Sequence, residues 1–273
     1  MLLKRSLVAL ALLPLVVAVI LLGGPVFTVV VAGILGLAAR EFSDMFIVGK
    51  LHPTSFLLIG GTVALVIARD INGFESAPWL VSLIILAAMT FHLVAYERGD
   101  DQAGTGFAVT IAGIMYIGFL GSYLISIRNL PNGEWWLLVI LLSIWLADVG
   151  AYLIGSPLGK HKMTVRLRPK KSWEGFLGGM FFCLVGTVII SLLIKLWFQP
   201  QFEISLLQAF LVGLLMSTLP VMGDLGVSMI KRQVGVKDSG TFLPGHGGTL
   251  DRIDTWMWGV VIGYYLVIWV IAV

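Results

Sequence analysis

The stretch EWWLLVILLSIWLADVGAYLIG, residues 134–155, carries no charge between Glu134 and Asp148. It is long enough to cross the hydrocarbon core of a bilayer as one helix, which takes about 20 mainly apolar residues. Eight further runs of the same character lie along the 273-residue chain: 6–22, 26–39 with an indistinct end towards 46, 54–69, 78–96, 105–127, 174–198, 205–230 and 255–273. The whole composition agrees, with 58% hydrophobic residues, 12% charged residues and a mean hydropathy of +0.99. A soluble domain carries about twice that share of charge, and its interior is too small to hide so many apolar side chains. The chain therefore reads as an all-α integral membrane protein with about nine transmembrane helices. Disorder, a disulfide scaffold and a coiled coil are excluded by the same numbers.

The first run follows Lys4 and Arg5 and is similar to a signal peptide in outline. No small-x-small cleavage site follows it, and another apolar run begins after Gly23-Gly24-Pro25, so it is read as a retained helix. Basic residues mark the cytoplasmic side of a membrane protein. With the N-terminus inside and nine crossings, 15 of the 18 lysines and arginines fall on one side. Only Arg69, Arg128 and Lys195 fall on the other. The expected topology is N-terminus cytoplasmic, C-terminus on the opposite side, in the cell (inner) membrane. The net charge of +3 then belongs to loops beside anionic headgroups or anionic substrates, with no nucleic acid implied. Residues 1–135 read as a scaffold of transmembrane helices with dimer contacts, and residues 136–273 as the catalytic region.

Two long cytoplasmic loops, 156–173 and 231–254, are rich in Gly, Pro, Lys and Arg. The first holds six cations in twelve residues: Lys160, Lys162, Arg166, Arg168, Lys170 and Lys171. It is either an ordinary positive-inside loop or an anion-binding strip. Ser172 is placed to cap the next helix, with Glu174 in its first turn. Gly150, Ala151 and Gly155, beside Asp148, are small enough to admit a neighbouring helix.

The acids near membrane depth are harder to explain as packing. A carboxylate inside a span costs about 2.5–3.5 kcal/mol on insertion scales, so it normally faces a polar interior with a partner. Asp224, Ser228, Lys231 and Arg232 follow helical spacing on one face. In the second loop, Pro244-Gly245-His246-Gly247-Gly248 forms a turn whose uncrowded amides can approach a phosphate. Asp251 and Asp254 stand three apart at the mouth of the last span. Hard carboxylate oxygens bind Mg²⁺, and Mg²⁺ carries phosphates. Three acids, Asp224, Asp251 and Asp254, gather at one membrane face with cations interleaved and are candidates for such an ion, Asp148 being a further acid near that face. Lys231, Arg232, Lys237 and Arg252 are expected to neutralise phosphate charge, with Lys170, Lys171, Ser172, Ser228 and the 244–248 turn completing substrate contacts. Asp238 and His246 would orient loops or ligands. His92 and Cys183, inside apolar runs, read as packed or hydrogen-bonded residues.

The run Ser228-x-x-Lys231-Arg232-x4-Lys237-Asp238-x-Gly240-x2-Leu243-Pro244-Gly245-His246-Gly247-Gly248-x2-Asp251-Arg252-x-Asp254 resembles the signature of phosphatidate cytidylyltransferases, also called CDP-diacylglycerol synthases. Asp148 to Tyr152, Gly159-Lys160 and Pro169-Lys170-Lys171-Ser172-x-Glu174-Gly175 resemble the family's upstream elements. Thr249, Arg168, Ser172 and Val149 depart from the usual residue types without removing a charged position. The resemblance implies transfer of CMP from CTP to phosphatidic acid, giving CDP-diacylglycerol and pyrophosphate. It also implies Mg²⁺, with K⁺ beside it, at acids matching Asp224 and Asp251. A homodimer is implied too, with a polar cavity open to cytoplasm and membrane lipids. Two other classes fit parts of the pattern. A CTP-dependent lipid-alcohol kinase would release CDP instead of pyrophosphate. A transporter would show paired broken helices and polar access from both faces, whereas the polar residues here gather at one face.

Overall fold

A computed structural model describes residues 13–240 and 247–271. Within them a short apolar helix, α1 (Leu13–Leu22), precedes eight helices long and apolar enough to cross a membrane. These are α2 (Gly24–Val48), α3 (Ser55–Asn72), α4 (Ala77–Glu97), α5 (Ala103–Arg128), α6 (Gly133–Leu158), α7 (Trp173–Phe198), α8 (Leu206–Gln233) and α9 (Leu250–Val270). They coincide with the last eight runs read from the sequence, and the protein is a multi-pass membrane protein. The first run lies partly outside the described residues.

The structure departs from the sequence expectation in four places. Loop 156–173 contains a short antiparallel hairpin, β1 (Lys162–Thr164) with β2 (Arg168–Ser172), in an otherwise helical structure. Helix α6 continues three residues beyond the expected end at 155, carrying Pro157 in its last turn. Helix α8 is broken at Leu219-Pro220 between Leu206–Thr218 and Val221–Gln233, because proline has no N–H to donate to the preceding turn. Helix α5 also loosens into a π-helical stretch at Ile114–Phe119.

The chain folds as two compact units. One holds residues up to Asn129 together with Ile230–Ile253, and the other Leu130–Met229 with Asp254–Val273. In the first unit, α2, α3 and α5 build a core from Leu35, Leu58, Ile114 and Ile117, all nearly inaccessible. His92 is buried there, its Nε2 bonded to Thr54 Oγ1 at 2.9 Å, as a packed histidine should be. At one end, His52 Nδ1 bonds Asp100 Oδ1 at 2.8 Å, and this hydrogen bond holds the Asp100 carboxyl below its ordinary range.

In the second unit, α6 and α7 pack along small residues. Gly155 lies so near Gly175 that an added Cβ would stand 3.1 Å from its Cα, and one on Gly179 would stand 2.5 Å from the Ala147 carbonyl oxygen. Buried Ser143 and Thr187 bond across the seam at 2.6 Å, and the buried Cys183 thiol donates to Gly213 O. Gly179→Ala is expected to cost about 1–3 kcal/mol through forced separation of the two backbones. Thermal unfolding in detergent measures it, and an unchanged midpoint would contradict the close packing.

Candidate active site

In the second unit the site begins at the break in α8. Val221 restarts the helix, and Asp224 falls in its first turn, where the unpaired N–H groups favour negative charge. Asp224 is 5% exposed. Arg168 and Lys171, both from β2, form ion pairs with its two carboxylate oxygens. Arg168 Nε also donates to Ser228 Oγ at 2.8 Å. One guanidinium thus joins positions i and i+4 of α8, which is the helical face read from the sequence.

Two strand residues separated by an odd interval should point to opposite sides of a regular strand. The hairpin escapes that rule through its register. Lys162 pairs with Ser172 and Thr164 with Arg168, so two steps on β1 face four on β2. The irregularity re-aims side chains and lets Arg168 and Lys171 converge on one carboxylate. Lys170 is left exposed. Ser172 is buried and uses its hydroxyl to accept from Gly175 N at 3.2 Å, the cap expected for α7. Glu174 accepts from the Lys160 and His161 amides and from His161 Nδ1 at 2.6 Å, tying the start of the hairpin to α7.

Asp254, buried in α9, is an electrostatic neighbour of Asp224 and of Arg168. Gly223 permits this approach, because a Cβ there would stand 2.3 Å from Asp254 O. Asp254 Oδ1 accepts from Thr255 N, whereas Oδ2 is buried with no hydrogen-bond partner. Asp148 is exposed on α6.

In the first unit, Lys231 donates to Asp251 Oδ1, and the two side chains are 5% and 7% exposed. Asp251 Oδ2 accepts from Ser239 N at 2.8 Å and Gly248 N at 3.0 Å. The carboxylate therefore grips both ends of the loop ahead of α9. Arg232 turns back onto Val236 O at 3.1 Å. Lys237, Asp238 and Arg252 are exposed. Pro244, Gly245 and His246 lie outside the described residues; Gly247 adopts φ +78°, a left-handed conformation that suits glycine.

One residue was missed by sequence reasoning. Glu41, in α2, is 9% exposed and accepts from Ser239 Oγ at 3.0 Å, Thr249 N at 2.8 Å and Leu250 N at 2.9 Å. The only sequence signal is an acid at the indistinct end of the 26–39 run, where it reads as part of a helix terminus.

Among the described residues, no group of three or more His, Cys, Asp or Glu side chains is gathered as a metal site. The donor chemistry nevertheless suits a hard divalent ion at the Asp224–Asp254 pair: two neighbouring buried carboxyls, one of their oxygens unpartnered.

Comparison with known proteins gives one consistent result. The model of the cytidylyltransferase family matches residues 3–270. A phosphatidate cytidylyltransferase of Bacillus subtilis is 39% identical over 260 residues, covering 84% of this chain and 94% of the relative. One from Staphylococcus saprophyticus is 31% identical over 255 residues, covering 93% and 94%. One from Staphylococcus aureus is 32% identical over 245 residues, covering 87% and 88%.

Proposed function

The chain belongs to the cytidylyltransferase family and is an enzyme of that type, and from that premise we propose that it transfers CMP from CTP to phosphatidic acid. A phosphate oxygen of phosphatidic acid attacks the α-phosphorus of CTP. The bond from that phosphorus to the bridging oxygen breaks, and CDP-diacylglycerol and pyrophosphate result. Two anions must meet, so the barrier falls where positive charge is fixed and the in-line geometry is held.

The observation that carries this reading is the buried Asp224 with Arg168 and Lys171 on its two oxygens, beside the unpartnered oxygen of Asp254. Arg168 and Lys171 are held on an acid and remain partly exposed, at 36% and 27% of their side chains. Such cations can turn to an incoming phosphate. Lys170, Lys231, Arg232, Lys237 and Arg252 supply further positive charge. Asp251 fixes the ends of the 239–248 loop through the Ser239 and Gly248 amides, and the rest of the turn, Pro244, Gly245, His246 and Gly247, takes the nucleotide phosphates. Ser228 orients Arg168, and Asp238 orients its loop.

Asp224 and Asp254 would hold Mg²⁺, with Asp148 in support; the family resemblance adds Asp251, and K⁺ as a second ion. When bound, the divalent ion neutralises charge on the triphosphate. The lipid phosphate is already ionised near neutral pH, so no strong base is required. Residues 136–273 carry most of this chemistry. The N-terminal helices form the scaffold and homodimer contacts, and the site faces the cytoplasm from the inner membrane.

Purified protein in detergent, supplied with labelled CTP, phosphatidic acid and Mg²⁺, should form CDP-diacylglycerol with one pyrophosphate each. Release of CDP would instead identify a kinase. Chelation should stop turnover and Mg²⁺ restore it; full activity in excess chelator would remove the ion from the reading.

A further inference from the structure

We propose that Glu41 is a positioning residue for the nucleotide, acting through the loop ahead of α9; the inference rests on the function proposed above. Its carboxylate lies on α2, and its partners lie 198 to 209 residues further along the chain. Those partners come from both ends of one loop. Ser239 is at the entry, and Thr249 and Leu250 are at the exit, where they open α9.

The first N–H groups of a helix have no partner within it. Glu41 satisfies two of them at α9, with its charge placed where the helix dipole favours it. Asp251 works alongside, drawing Ser239 N and Gly248 N together. Two carboxylates therefore close the neck of the loop, one from within it and one from a distant helix.

The glycines record how closely the loop is seated. A Cβ on Gly248 would lie 2.3 Å from Glu41 Oε2 and 2.2 Å from Ser239 Oγ, and one on Gly240 would lie 2.8 Å from Glu41 Cδ. The backbone of the loop is thus pressed against this acid at two separated points. Glu41 touches no reacting atom. It sets where Gly248 and the first residues of α9 stand, and through them how the nucleotide is received.

Side-chain chemistry provides graded variants. Glu41→Gln keeps the shape. Its carbonyl oxygen can occupy the Oε2 position, accepting from Leu250 N, and the Ser239 hydroxyl can adapt, so only the bond to Thr249 N is lost. Glu41→Ala loses all three. KM for CTP is the decisive readout, because a fraction of misfolded enzyme lowers total activity without changing KM. Loss of one charge-assisted hydrogen bond predicts a rise of ~10-fold for Glu41→Gln, and a larger rise for Glu41→Ala.

Hydrogen exchange followed by mass spectrometry gives a readout independent of catalysis. The Thr249 amide should exchange faster in Glu41→Gln, and both Thr249 and Leu250 amides faster in Glu41→Ala. An unchanged KM for CTP in both variants, or unchanged exchange at 249–250, would overturn the proposal. Failure of the wild-type protein to turn over CTP and phosphatidic acid would instead overturn the functional reading, while the exchange experiment would still report on Glu41.

Discussion

Asp224→Asn is expected to lower CMP transfer by about 10²–10³-fold, the range seen when one preorganised electrostatic group is removed from a transition state. The amide keeps the volume of the carboxyl but not its charge, so Arg168 and Lys171 lose the anion that holds them together. Asp224→Ala goes further and leaves two cations facing an empty position. Breaking a fully buried pair costs about 3–5 kcal/mol. Water reaches the Arg168 and Lys171 side chains here, so about 1–3 kcal/mol is expected instead. Initial rates with labelled CTP and thermal unfolding in detergent separate the two effects. Turnover at the wild-type rate in Asp224→Asn would remove this carboxylate from the mechanism.

The Lys231–Asp251 pair offers a test in which stability and activity part company. Both side chains are almost inaccessible. Lys231→Met strands the buried Asp251 carboxylate and should destabilise by about 3–5 kcal/mol, moderated by the two amides that still bond it. Lys231→Met combined with Asp251→Asn carries no buried charge, and the asparagine carbonyl can continue to accept from Ser239 N and Gly248 N. The double variant should recover most of the lost stability, as replacement of a whole buried pair often does. It should recover no CMP transfer. Activity returning with stability would show that the pair only supports the fold.

The large elements were legible because a bilayer imposes length. A span needs about 20 apolar residues, and six of the eight described helices announced themselves in that way; the runs 26–39 and 54–69 read shorter than the helices Gly24–Val48 and Ser55–Asn72 that contain or overlap them. The helical face of Asp224 and Ser228 was legible from spacing alone, and the structure joins both through Arg168. The Ser172 cap followed from residue type. The hairpin was not legible. Its strands are three and five residues long and rich in Lys and Arg, without the apolar alternation that marks a half-buried strand. Glu41 was hidden for another reason. Spacing rules relate residues within one element, and its partners lie some two hundred positions away. Nothing local separates an acid with a distant partner from one at the ragged end of a span.

That separation also orders events during biogenesis. Residues emerge from the ribosome at about 5–20 per second, so α2 enters the bilayer roughly 10–40 seconds before the amides that will receive its acid exist. Throughout that interval the Glu41 carboxyl lacks the partners it holds in the folded chain. Only when residues 239–250 arrive does the carboxylate gain its three donors. A chain truncated before that point would keep this acid without any of its three donors.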